Sequence, residues 1–143
     1  MKLSKVACVL ATGTFASIGI IPVTAHAEAE EFTKIEKVTL ISDRELNVEV
    51  TYQCHQGPGE QAHYVEATAT QVSGDTKGYN DVSATCNDQK RQATIEITFG
   101  SDFKRDVKVK VVTELVDKDA DGNDSSTYIG GRDTGTYDLS QQS

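Results

Sequence analysis

The sequence predicts an all-β fold, an antiparallel sandwich of about seven short strands. Three observations predict it. Apolar and polar residues alternate along most of the chain, the period of a half-buried strand. Beyond residue 27, no window of about eleven residues favours the 3.6 period of a helix. Turn residues separate the alternating runs: Ser42-Asp43-Arg44, Gln56-Gly57-Pro58-Gly59, Ser73-Gly74-Asp75, Asn87-Asp88, Gly100-Ser101-Asp102 and Asp121-Gly122-Asn123.

The strands follow in chain order. The opening one, 34–41, carries Ile35, Val38, Leu40 and Ile41. In 45–54, Leu46, Val48, Val50, Tyr52 and Cys54 share one face, and Glu45, Asn47, Glu49, Thr51 and Gln53 share the other. The run 62–72 places Val65, Ala67 and Ala69 inward, and 81–86 does the same with Val82, Ala84 and Cys86. In 92–99, Ala93, Ile95, Ile97 and Phe99 alternate with Thr94, Glu96 and Thr98. In 106–116, Val107, Val109 and Val111 alternate with Lys108 and Lys110. A closing strand at 126–132 contains Tyr128 and Ile129. Seven short strands at this spacing fit two packed antiparallel sheets of immunoglobulin-like type. No Trp is present to pack on a bridge as it does in antibody domains.

The first 27 residues read as a secretory signal peptide. Lys2 and Lys5 precede an apolar run from Val6 to Val23. Pro22 breaks it, and Ala25-His26-Ala27 offers a small-residue cleavage site. Cys8 would leave with that segment. Cleavage would remove two lysines and no acid, moving the net charge from −8 to −10. Such a charge opposes nucleic acid, whose phosphates need a basic surface. No second apolar run is long enough to span a membrane. The length of 143 residues suits a single domain. We expect a flexible segment at 28–33, the sandwich at 34–132 and a flexible tail at 133–143.

Export would leave Cys54 and Cys86 in an oxidising compartment, where two cysteines allow one intramolecular pairing. Closing that loop would constrain the unfolded chain by roughly 3.5–4 kcal/mol. Both cysteines fall on inward faces, so the bridge is expected to cross between the sheets.

The run Val48-Glu49-Val50-Thr51-Tyr52-Gln53-Cys54 resembles the T-Y-x-C segment of small secreted actinobacterial proteins of unknown function. Ala84-Thr85-Cys86-Asn87 matches their second cysteine, and Gly100 with Val107 to Val111 their following turn and strand. The resemblance covers 38–116 and departs in the acidic 117–124 loop. It implies a single-disulfide β-sandwich and brings no activity with it.

Four clusters carry candidate chemistry. Asp117, Asp119, Asp121, Gly122 and Asn123 have the D-x-D-x-D-G spacing of a calcium loop, but Tyr128 stands where the bidentate Glu would be. The competing reading is a solvated hairpin loop. His55, Glu60, His63 and Glu66 form a second cluster, too poor in histidine to specify zinc. A Ser/His/Asp triad has no nucleophile-elbow motif behind it. Lys104, Arg105, Lys108 and Lys110 make up the basic cluster, suited to solubility and to pairing with Glu96 or Glu114.

The reading that results is a secreted, monomeric, non-enzymatic binding or surface-interaction module. Its loops would contact an extracellular protein or glycan. The alternatives are a calcium-stabilised adhesion module using 117–124 and a secreted protease inhibitor presenting the loop 55–61. No cofactor is expected beyond weakly bound calcium.

Overall fold

The computed structural model describes residues 30–56, 62–74, 76–102, 108–118, 127–140 and 142. Seven strands make up the fold: β1 (Phe32–Ser42), β2 (Glu45–Gln53), β3 (Ala62–Gln71), β4 (Lys77–Ser83), β5 (Arg91–Thr98), β6 (Lys108–Lys118) and β7 (Thr127–Asp138). They form two antiparallel sheets. One has the order β1-β2-β5 and the other β4-β3-β6-β7.

The alternation read from the sequence decides which faces meet. Leu46, Val48, Val50, Ile95 and Ile97 of the first sheet are buried, as are Val65, Ala67, Ala69, Val109, Val111 and Leu115 of the second. Each fully buried Val, Leu or Ile contributes about 1.5–3 kcal/mol of transfer free energy. Phe99, just beyond β5, belongs to the same core.

Both open sides of the sandwich are closed. On one, Thr113 Oγ1 donates to Thr33 Oγ1 at 3.0 Å, and Thr33 donates in turn to the Gly131 carbonyl. The Ile35 amide donates to Asp133 Oδ2 at 2.8 Å. On the other, Gly78 bridges Phe99, and Asn80 Nδ2 donates to the Glu96 carbonyl at 2.7 Å. These contacts occupy part of the edges that would otherwise template pairing with another chain.

Three expected boundaries move. The fourth strand is Lys77–Ser83, not 81–86. Its buried position is Gly78, which has no side chain to mark an inward face. Val82 is half-buried, and Ala84, Thr85 and Cys86 lie past the strand end. At the start, β1 begins at Phe32, inside the segment expected to be flexible. At the C-terminus, β7 continues through 133–138, where a flexible tail was expected. Thr134 and Thr136 pair with Val112 and Lys110 there. Leu139 is 1% exposed and packs in the core. Gln142 then binds the β1 backbone, accepting from the Leu40 amide and donating to the Val38 carbonyl, each at 2.9 Å. A short polar tail reads as frayed because neither contact has a local sequence pattern.

Cys54 and Cys86 form a disulfide with their Cα atoms 4.6 Å apart. Cys54 directly follows β2 of the first sheet, and Cys86 lies three residues after β4 of the second. The bridge therefore ties the two sheets together at one end, with both residues in the core.

Candidate functional site

The disulfide end holds an open cleft of about 330 Å³, lined by Gln56, His63, Ser83, Thr85 and Cys86 among others. His63 is the second residue of β3, and Asp117 is its cross-strand partner on β6. Its Nδ1 is bonded to the Asp117 carboxylate, and both side chains are mostly buried, at 13% and 15% exposure. The second histidine, His55, bonds elsewhere: its Nδ1 lies 2.9 Å from Asp88 Oδ1. The two histidines thus face different aspartates and do not converge. Ser83 pairs with Tyr64, one residue along from His63 and on the opposite face of β3. Among the described residues no hydrogen bond joins Ser83 to His63.

Asp117 was the first member of the expected calcium loop. It is the penultimate residue of β6, and its carboxylate is committed to His63. Asp119, Asp121 and Asn123 lie outside the described residues, as do Glu60 and most of the loop 55–61. Lys104 and Arg105 lie outside them too. Among the described residues no group of three or more His, Cys, Asp or Glu side chains is placed to hold a metal.

The outer face of the four-stranded sheet is organised differently. Pairing β4, β3, β6 and β7 in that order stacks their outward residues into rows across the sheet. One row is Lys77, Thr70, Lys110 and Thr136. The next is Tyr79, Thr68, Val112 and Thr134. The third is Asp81, Glu66 and Glu114, with Arg132 reaching in from β7 to pair with Glu114. A cleft of about 350 Å³ lies on this face, lined by Lys77, Lys110, Thr68, Thr70 and Thr134, with Val112 and the Glu114–Arg132 pair.

Charge is therefore segregated along the strands. The acidic row places Glu66 directly between Asp81 and Glu114. Burial first, and the Glu114 carboxylate second, raise the pKa of Glu66 above its ordinary value. Lys118 relieves part of that crowding. Its ammonium pairs with Asp81 and sits 4.8 Å from the centre of the Tyr64 ring, a cation–π contact. The bond to Asp81 is the main cause that raises the Lys118 pKa. Tyr79 donates to Asp81 Oδ2 at 2.8 Å; burial and that bond push its phenol up to about 12. The Tyr79 ring stays 48% exposed beside Thr68.

The sequence marked Lys108 and Lys110 as cations on a wet strand face. It did not single out Lys77, Thr70, Thr68, Arg132 or Tyr79. The only signal for them is parity, since each is an outward position of its strand. Which outward positions become neighbours depends on strand order, which parity does not encode.

Fold and site together define an all-β protein of two disulfide-tied sheets with a polar cleft on the larger one. No protein-family model matches the chain, and no curated protein matches it.

Proposed function

We propose that this chain is a secreted, non-enzymatic binding module that engages an extracellular ligand, protein or glycan, through the outer face of its four-stranded sheet. The observation that carries this reading is the cleft of about 350 Å³ over that face. Its polar side chains stand on four mutually paired strands, so their positions are held by the ladder, as a pre-formed site requires. This moves the expected contact surface from the loops to the sheet.

Export is supported by the disulfide, since such bonds persist outside the reducing cytosol. No helix among the described residues is long and apolar enough to cross a membrane. The likeness of 38–116 to small secreted actinobacterial proteins supports the same location. The covered strand edges favour a monomer.

The strand order also supports an immunoglobulin-like reading of the sandwich. In such domains strands A, B and E share one sheet and C, F and G the other. Here β1, β2 and β5 would be A, B and E, while β3, β6 and β7 would be C, F and G, with β4 on the C edge. The bridge departs from the antibody pattern, because it joins the chain after β2 to the chain after β4.

The test is retention of the purified chain on immobilised protein and glycan fractions from the source culture. The chain should be retained, Thr68→Trp should abolish retention by filling the cleft, and Gln56→Ala at the other cleft should leave it intact. Retention that survives Thr68→Trp overturns the assignment of the face. Hydrolysis of the retained fraction by the wild-type chain overturns the non-enzymatic reading.

A further inference from the structure

Lys77 and Lys110 are both cross-strand partners of Thr70, one on each side of it. Strands two positions apart put their Cα atoms about 10 Å apart, within reach of two lysine side chains converging over the central residue. Both lysines are exposed, and neither forms an ion pair among the described residues. Two lysines thus flank one threonine on the same face of the sheet, and among the described residues no carboxylate stands between them in that row. That arrangement suits a single oxyanion, which accepts charge-assisted hydrogen bonds from each side.

The rest of the face sets the size and chemistry of what carries that oxyanion. Next along the strands is a neutral row, with the exposed Tyr79 ring and the hydroxyls of Thr68 and Thr134. Beyond it lies the row of Asp81, Glu66 and Glu114, in which Lys118 pairs with Asp81 and Arg132 with Glu114, while Glu66 forms no ion pair among the described residues. From Thr70 to Glu66 is four residues, about 13 Å along an extended strand. A ligand of that length must be anionic at one end and must offer hydrogen-bond donors, not further anions, at the other. A run of acidic residues in a peptide fails this, because its later carboxylates would meet Glu66. The net charge of −8 also opposes long polyanions.

We propose that the face seats a short saccharide bearing one anionic group. Resting on the binding face assigned above, this names its ligand class. The carboxylate, sulfate or phosphate sits between Lys77 and Lys110 over Thr70. A sugar ring packs along Tyr79, with its hydroxyls bonded to Thr68 and Thr134. The far hydroxyls donate to the Glu66 carboxylate.

The test is an NMR titration of the full chain with a panel of probes. They are disaccharides ending in glucuronate, glucose 6-sulfate or glucose 6-phosphate, the neutral disaccharide, inorganic phosphate and a tetraglutamate peptide. At least one anionic disaccharide should shift the amides of residues 68–70, 77–79, 110–112 and 134. It should bind about tenfold or more tightly than the neutral sugar, the phosphate and the peptide. Lys77→Gln with Lys110→Gln should remove that advantage and leave the unliganded spectrum folded, and Tyr79→Ala should weaken the sugar component. A neutral sugar that binds the same amides as tightly overturns the anionic seat while the binding face stands. Equal binding by phosphate alone, or by the peptide, overturns the saccharide. If no disaccharide shifts these amides, the proposal fails, whereas retention on source fractions that Thr68→Trp abolishes would leave the binding face standing.

Discussion

At Gly78 the two sheets meet with no side chain between them. A Cβ there would lie 2.5 Å from Ile97 Cγ2 and 3.2 Å from the Phe99 ring. Close-packed cores do not yield by that much without moving a strand. Gly78→Ala should therefore cost about 1–3 kcal/mol, read as a lower urea midpoint at unchanged slope. Gly131 is held by its backbone instead. It has φ 66°, and a Cβ would meet the Phe32 backbone at 2.7 Å. Glu66 offers the opposite case, a residue whose replacement should help. Its pKa is raised in the fold, so the folded state binds its proton more tightly than the unfolded chain does. That contribution is fully present below the unfolded value and is lost as pH rises through the folded one. At pH 7 the ionised group faces Asp81 and Glu114 directly across the strands. Glu66→Gln should then stabilise the protein by about 0.5 kcal/mol. The difference from wild type should shrink as pH falls from 7 to 3, below the ordinary carboxylate value, where the group is protonated in both states. Urea melts of both proteins at the two pH values check the sign.

Two elements carry more than their sequences advertise. The chain after β7 is one: Leu139 is buried, and Gln142 caps the edge of β1. Leu139→Ala should cost about 2–5 kcal/mol, the range for a core leucine, whereas a frayed tail would tolerate it. Thermal melts distinguish the two. The C-terminal end of β6 is the other. By pairing with His63 inside the ladder, Asp117 is withdrawn from the acidic loop that follows. A calcium site of the extracellular range would stabilise the chain by about 1 kcal/mol at about 2 mM ion. We expect no such effect, and a rise in melting temperature of roughly 3 °C or more would restore the loop as a calcium site. Element by element, the alternation in 45–54 and 92–99 is legible because Leu46, Val48, Val50, Tyr52, Ile95, Ile97 and Phe99 are large enough to mark the inward face. Strand β4 was misplaced by several residues because its buried position is a glycine.

For the molecule as a whole, the disulfide and the two closed sides hold the sheets in one arrangement. The loop between Cys54 and Cys86 spans a sequence separation of 32. Replacing both cysteines by alanine should lower stability by about 3.5–4 kcal/mol on the loop-entropy account. That is a large share of the 5–15 kcal/mol typical of a folded domain. Urea denaturation of the double variant measures it, and a loss below about 1 kcal/mol would show that the sheets hold without the bridge. The closed sides have a solution counterpart: the chain should sediment as a monomer at micromolar concentration.

The sequence by itself determined the all-β class, the number of strands and, for β2, β3, β5 and β6, the faces they bury. Those properties follow from a period of two, which each strand expresses locally through the size and polarity of its own side chains. It also supplied the two cysteines, though not that their bridge falls beyond the end of β4. Only the tertiary structure decided which strands are neighbours. That order places Lys77 and Lys110 on either side of Thr70, crowds Glu66 between two carboxylates and turns Asp117 towards His63. Each of these juxtapositions joins residues far apart in the chain through a register set by pairing. No local pattern reports such a register, because an outward lysine or threonine looks the same whichever strand lies beside it.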